Sequence, residues 1–497
     1  MTPRPSTMDA PTFFDVHDPA TGAVVGRYPI ADATAVEAAV ARAETAAVWW
    51  RALGFAGRAR LLDRWRAEIT RGRAELAHVV AAETGKPISD ARLEIVMALE
   101  HLKWAARNAE RVLGSRPVSP SLLTIDHACR LEYRPFGVVG VIGPWNYPVF
   151  TPLSSISFAL AAGNTVVFKP SEYTPGVGVW LAQAFDRVTG ERPILQTVTG
   201  DGATGAALCR SRVGKIGFTG STETGKRVMA ACAERLTPVL MECGGKDALL
   251  VAADADLGAA ADAALWGGLA NAGQTCLGVE RIYVHTEVYD AFLTELLDRA
   301  RDLRAGAAPA EIGPITMPKQ LAVIRRHIED AVARGATVLL GGPDAVRGQF
   351  VQPTILTDVP EDAAAVVEET FGPTLVVARV GSMDEAIEKV NATEYGLGAT
   401  VFARRGGDAI ADRLRAGGTS INAFVAHATV PGLPLGGVGA SGFGRVHGPD
   451  GLREFTYAKA TTRRRFPSPL PLTTFARGVR TDALIDRLVG VRHGRIG

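Results

Sequence analysis

Two short stretches carry the side chains best suited to covalent chemistry: Met241-Glu242-Cys243-Gly244-Gly245-Lys246 and Asn271-Ala272-Gly273-Gln274-Thr275-Cys276-Leu277-Gly278. In the first, a carboxylate ends an apolar run and two glycines follow, so backbone can approach a ligand where side chains would block it. In the second, one cysteine stands among small and polar residues. Cys276 is therefore the candidate nucleophile and Glu242 the candidate base. Cys129, Cys209, Cys232 and Cys243 are read as small core residues, the ordinary reading of a cysteine. Reactivity needs a polar, partly open setting, so the elements around Cys276 decide its case.

Those elements follow from periodicity. Helical spacing runs over 34–51 and 57–71, with Leu61, Leu62, Trp65 and Ile69 on one face, and from Ser89 to Leu113, with Ile95, Leu99 and Leu102 on one stripe and the charges opposite. This block reads as a helical layer on a sheet, without chemistry of its own. From Thr124 to Arg134 the period changes to two, which predicts a long strand with an apolar face that needs a partner surface. Short apolar runs then alternate with helical patterns: Gly137–Ile142, Thr165–Phe168, Ile194–Val198 and Lys215–Phe218, with helices near 150–162, 175–188 and 202–210. That alternation predicts a doubly wound parallel sheet, with ligands beyond the carboxyl ends of its strands.

Polar residues stand where such ligands would lie. Pro144-Trp145-Asn146-Tyr147 follows the first run, Lys169-Pro170-Ser171-Glu172 the second, and Thr219-Gly220-Ser221-Thr222 the last, opening a helix. A helix amino terminus with free N–H groups suits a pyrophosphate, and Lys169 with Glu172 suits ribose hydroxyls. Gly-x-Gly-x-x-Gly occurs at Gly200, Gly202 and Gly205, where no acidic residue ends the following strand, and again at Gly437, Gly439 and Gly442, in a loop near the end of the chain, so neither copy carries the cofactor argument. A second α/β block runs from about Gly244 to Val446, with candidate strands at Asp247–Val251, Arg281–Val284, Thr337–Leu340, Thr374–Val380, Ala399–Phe402 and Thr419–Ile421. Past Pro467, Pro469 and Pro471 comes an amphipathic stretch over Thr481–Val489.

At 497 residues the chain calls for two or three domains. Its 54 basic and 52 acidic residues leave a formal charge of +2, which argues against a nucleic-acid partner. Five cysteines without a Cys-x-x-Cys pair argue against a disulfide framework and structural zinc. No metal is expected. The opening Met1–Asp15 lacks a long apolar core and no run reaches the ~18 apolar residues of a membrane span, so a soluble, cytoplasmic protein is expected.

Taken together, Pro144-Trp145-Asn146, Lys169-Pro170-Ser171-Glu172, Phe218-Thr219-Gly220-Ser221, Glu242-Cys243-Gly244-Gly245-Lys246, Gly273-Gln274-Thr275-Cys276 and Glu369-Thr370-Phe371-Gly372-Pro373 resemble the NAD(P)-dependent aldehyde dehydrogenase superfamily over nearly the entire chain. The resemblance implies two Rossmann-like α/β domains and a small β oligomerisation flap. NAD would be bound by 1–115 with 136–243, catalysis would fall to 244–449, and the flap and tail to 116–135 with 450–497. It implies that the Cys276 thiolate attacks an aldehyde, that Asn146 and the Cys276 N–H stabilise the oxyanion, and that Glu242 activates the water that hydrolyses the thioester. Trp145, Lys169, Glu172, Gly220, Ser221, Gly244, Glu369 and Phe371 would bind the cofactor. Glu242 favours water over coenzyme A as acyl acceptor, and Glu172 favours NAD while leaving NADP open.

Where the family often has Pro-Phe-Gly-Gly followed by lysine, this chain reads Pro434-Leu435-Gly436-Gly437-Val438. The aldehyde is expected between Tyr147, Phe150, Thr275, Leu277, Phe424, His427 and Leu435. No cationic pair marks a pocket for a dicarboxylic semialdehyde. A homo-oligomer, dimer or tetramer, is expected. A thiol-dependent esterase and a catalytically silent binding protein on the same fold stand as alternatives.

Overall fold

The computed structural model describes residues 12–467 and 473–494, so Pro469 and Pro471 lie outside the described residues. The chain forms two compact units, one of Met1–Val112 with Pro135–Thr456 and one of Leu113–Arg134 with Tyr457–Gly497.

The larger unit holds two large sheets, beside the two-stranded pairs Phe13–His17 with Val24–Pro29 and Val346–Arg347 with Phe350–Val351. The first has the order Gly442–Phe443, Val239–Glu242, Lys215–Thr219, Val138–Ile142, Thr165–Lys169, Leu195–Thr197. All its pairings are parallel except that of Gly442–Phe443 with Val239–Glu242. Parallel strands covered on both faces read as unbroken apolar runs, and Thr165–Lys169 is buried at every position. Helices supply the cover: Phe150–Ala162 is buried nearly all round. The indoles of Trp50 and Trp65 donate to the carbonyls of Leu160 (3.0 Å) and Leu181 (3.2 Å), pinning an outer helical layer to an inner one.

The chain steps outward from Val138–Ile142 through Thr165–Lys169 to Leu195–Thr197, then returns to the other side of Val138–Ile142 at Lys215–Thr219. This reversal opens a crevice at the carboxyl ends of those two strands. The second sheet has the order Thr337–Leu340, Thr354–Thr357, Thr374–Val380, Arg281–His285, Ala248–Val251, Gly398–Phe402, Gly418–Ile421, with only the first strand antiparallel. Both sheets are of the doubly wound kind, and the fold class is α/β. Gly442–Phe443 leaves the second block and joins the first sheet, with Gly442 opposite Glu242.

Several local readings change. The helix Arg73–Thr84 and the strand Thr354–Thr357 have no counterpart among the sequence-derived elements. The strand expected from Thr124 begins at His127, because Leu122–Thr124 is a turn of 3-10 helix, and most of its residues are half-buried on both faces. In the helix Ile88–Leu113 the charges are not all on the outer side, since Glu94 and His101 are fully buried. In the smaller unit His127–Pro135 is the central strand, between Thr456–Arg464 and Arg116–Val118, and Val479–His493 is a helix with no buried residue. No helix among the described residues is long and apolar enough to cross a membrane.

Candidate active site

The cysteine arrives on a strained and tightly braced loop. After the helix Leu257–Leu269, Asn271 and Ala272 adopt φ of 54° and 57°, a left-handed backbone that L-residues rarely take without compensation. The compensation is visible: Asn271 Nδ2 donates to the carbonyls of Asn146 (3.1 Å) and Gln274 (3.2 Å). Gln274 Nε2 donates to the Asn271 carbonyl (2.8 Å), and its Oε1 accepts from Thr316 N–H (2.8 Å). At Gly273 a Cβ would collide with the Gly372 carbonyl, so the cysteine loop and the 369–373 loop touch through backbone.

Asn146 is 5% exposed and gives one Nδ2 hydrogen to the Gln274 carbonyl (3.0 Å), leaving its second amide hydrogen for a ligand. Its own carbonyl accepts from Lys86 Nζ (2.7 Å). Lys86 also pairs with Glu94 at 2.8 Å, both side chains fully buried, and the other Glu94 oxygen accepts from Val149 N–H (2.7 Å) and Phe150 N–H (3.1 Å). The helix Ile88–Leu113, to which the sequence assigns no chemistry, thus holds the amide in place. The only forewarning is a carboxylate on the buried face of that helix, in the spacing Ala91, Glu94, Ile95, Ala98, His101, Leu102.

Glu242 is the last residue of its strand and is buried. Burial pushes its carboxyl up to about 8, with Arg445 opposing and Glu454 adding to the shift. Its Oε1 has no hydrogen-bond partner, an unusual state for a buried oxygen. Gly436 lies across from it, where a Cβ would stand 2.8 Å from that oxygen. Cys276 is half-buried as a residue, and its thiol is pushed up to about 12, by desolvation first and then by the carboxylates of Glu369, Glu242 and Asp247, against the Leu277 N–H that stabilises the anion. At neutral pH it is a thiol, so its attack needs a base.

Cys276 and Glu242 line the same cavity, of about 1110 Å³ with its open mouth included. Tyr147, Phe150, Thr275, Leu277, Phe424 and Leu435 line it too, and Tyr147 and Thr275 share a hydrogen bond of 2.9 Å between their hydroxyls. His427 does not line it. Its Nδ1 lies 2.9 Å from Ser420 Oγ and burial lowers its pKa to about 4, while its neighbours Val425 and Ala428 face the cavity instead. Leu93, Met97 and Trp266 are also among the lining residues, and nothing in local sequence singles them out.

The residues expected at a cofactor gather around the crevice of the first sheet. Trp145 follows Val138–Ile142, and Lys169 ends Thr165–Lys169 with Glu172 at 3.3 Å. Ser221 caps the helix Thr222–Ala233, accepting from Thr224 N–H at 3.3 Å, and Gly220 N–H donates to the Glu242 carbonyl (3.0 Å). Glu369 accepts from Gly245 N–H (3.0 Å) and fills the space a Cβ on Gly244 would need, with its carboxyl pushed up to about 8 by burial. Phe371, at φ 49°, meets Trp145 edge to face at 5.5 Å. Glu280 accepts from the amides of Thr370 (2.8 Å) and Phe371 (3.0 Å), and Lys246 pairs with Glu280 beneath them. A helix start, an ammonium and a carboxylate at a switch point form a donor set that fits a dinucleotide. The Gly200, Gly202 and Gly205 run lies elsewhere: a Cβ on Gly200 would strike Thr204, and the helix Gly202–Arg210 follows the edge strand Leu195–Thr197. Among the described residues no group of three or more His, Cys, Asp or Glu could hold a metal.

An α/β protein with a cysteine and a carboxyl facing one cavity beside a dinucleotide-type crevice defines a class, and comparison with known proteins gives the family. Residues 6–461 match the aldehyde dehydrogenase family model. A 4,4'-diapolycopene aldehyde oxidase of Methylomonas sp. is 37% identical over 90% of this chain and 86% of its own length. A Mycolicibacterium smegmatis protein named for succinate-semialdehyde dehydrogenase (NADP+) is 36% identical over 92% of this chain and 90% of its own. Among solved structures, an Escherichia coli NADP-dependent enzyme superposes with TM-score 0.88 at 35% identity over 91% of this chain and 95% of its own. The chain belongs to the aldehyde dehydrogenase family.

Proposed function

We propose that the protein oxidises an aldehyde to the carboxylic acid through a covalent intermediate on Cys276, with water as the final acyl acceptor. The observation that carries this reading is the unpartnered Glu242 oxygen, buried and facing the same cavity as the Cys276 thiol. Glu242 as carboxylate takes the thiol proton, directly or through water, and sulfur adds to the carbonyl carbon. The second Asn146 amide hydrogen and the Cys276 N–H meet the oxyanion, a contribution of ~10²–10³ in rate for one such donor. NAD(P), held by Trp145, Lys169, Glu172, Gly220, Ser221, Gly244, Glu369 and Phe371, supplies the hydride acceptor. Glu242 gives the thiol proton up to solvent, then takes a proton from water as it adds to the thioester and returns that proton to sulfur as the acid departs, restoring the Cys276 thiol.

The Glu172 carboxylate just past Thr165–Lys169 supports NAD over NADP by repulsion of a 2′-phosphate, although two of the three relatives above are named for NADP. The three-stranded unit, with Val118 exposed on its edge strand, supports association between copies of the chain. Replacing Cys276 by alanine is the direct test: no aldehyde should yield NADH while NAD binding, read by calorimetry, persists. Turnover in that variant refutes the nucleophile.

A further inference from the structure

The geometry points to an uncharged aldehyde with an extended apolar chain as the substrate, and away from a semialdehyde that carries a second carboxylate. The inference deepens the function proposed above and rests on Cys276 being its nucleophile. Beyond the reacting end, the apolar walls include Leu93, Met97, Phe150, Trp266, Phe424 and Leu435, and Thr151, Ser154 and Thr429 line the cavity too. The charged groups that line the cavity are Lys86, Asp90, Glu94 and Glu242, three carboxyls and one ammonium. That ammonium is committed: it is fully buried, 2.8 Å from Glu94 and 2.7 Å from the Asn146 carbonyl, with the Tyr147 ring 4.2 Å from it.

No arginine lines the cavity among the described residues. A substrate carboxylate would therefore be stripped of water beside Asp90 and Glu94 without a free cation to receive it, an arrangement that disfavours binding. An alkyl chain meets the opposite conditions. Its aldehyde end finds Asn146, and the rest finds carbon. The apolar walls also continue to the surface, for Leu93 and Trp266 line the cavity while 46% and 50% exposed. A chain longer than the cavity leaves between them.

The matched probes are butanal and succinic semialdehyde, which share a four-carbon length, with hexanal and octanal extending the apolar series. With NAD(P), kcat/KM should rise about 4-fold per added methylene up to octanal, the factor equivalent to about 0.8 kcal/mol per buried CH2. Succinic semialdehyde should fall about 10-fold or more below butanal. Trp266→Ala should flatten the rise with chain length. Binding is read separately in the Cys276→Ala protein by calorimetry, where 1-octanol should bind and succinic semialdehyde should not. Equal or faster turnover of succinic semialdehyde than of octanal overturns the substrate class and leaves the oxidation standing. Failure of 1-octanol to bind overturns it as well. NADH formation from none of the aldehydes, with 1-octanol still bound, refutes the oxidation and supports the cavity's selectivity.

Discussion

Replacing Glu242 by glutamine should make the protein more stable and less active, and the size of the first effect follows from the site. Burial raises the Glu242 carboxyl from 4.5 to about 8 in the folded chain. Between those values the unfolded chain has released a proton that the folded chain retains, so the stability of the folded state falls as pH rises through the window and levels off above about 8. At about 1.4 kcal/mol per pH unit, the loss reaches roughly 3 kcal/mol by pH 7. Glutamine has nearly the same shape and does not titrate. The two proteins should therefore unfold at similar urea concentrations at pH 5 and diverge steadily to pH 8, the variant becoming the more resistant by roughly 4 kcal/mol. The same variant, mixed rapidly with NAD and aldehyde, should be slow from the first turnover onward, with no burst of NADH, because it lacks the group that takes the Cys276 proton. Parallel pH dependences of the two unfolding midpoints would show that Glu242 ionises normally in the fold, and the account of it as a base poised near neutrality would fail.

Other outcomes follow from the same geometry. Asn146→Ala should lower kcat by ~10²–10³ with less effect on KM, since it removes a donor to charge that develops during reaction; equal loss in both constants would argue for ground-state binding instead. Glu94→Gln leaves the Lys86 ammonium buried without its counter-ion and should cost about 3–5 kcal/mol in urea unfolding, with reduced kcat because Lys86 also holds the Asn146 carbonyl. Glu172→Gln should raise kcat/KM for NADP relative to NAD by roughly 10-fold, a difference of about 1.4 kcal/mol; an unchanged ratio removes Glu172 from cofactor choice.

The parts of the site that lie next to a strand end were legible from sequence, because a doubly wound sheet is a series of short apolar runs and the ligand-facing residues come directly after them. Asn146, Lys169, Ser221 and Glu242, all singled out as candidates, stand at or just past such strand ends. The bracing was not legible. Lys86 and Glu94 act on Asn146 and Val149 across long stretches of chain, and only their burial reveals it. Glu280 is similarly silent, a carboxylate one residue before a strand that proves to hold two amides of the Glu369–Phe371 loop. The helix Arg73–Thr84 escaped because its buried face is only Leu76, Ala77 and Val80 followed by Glu83 and Thr84, a weak stripe beside alanines. His427 misled for the converse reason: a polar ring in a cavity-forming loop found its partner in Ser420, at the loop's own foot.

The helix Ile88–Leu113 confines how this protein can diversify. Leu93 and Met97 line the cavity on either side of Glu94, whose two oxygens accept from Lys86 and from the amides of Val149 and Phe150. New tastes can therefore be bred by randomising positions 93 and 97, whereas any library that also varies position 94 will discard mostly dead clones, however well their pockets suit the intended compound.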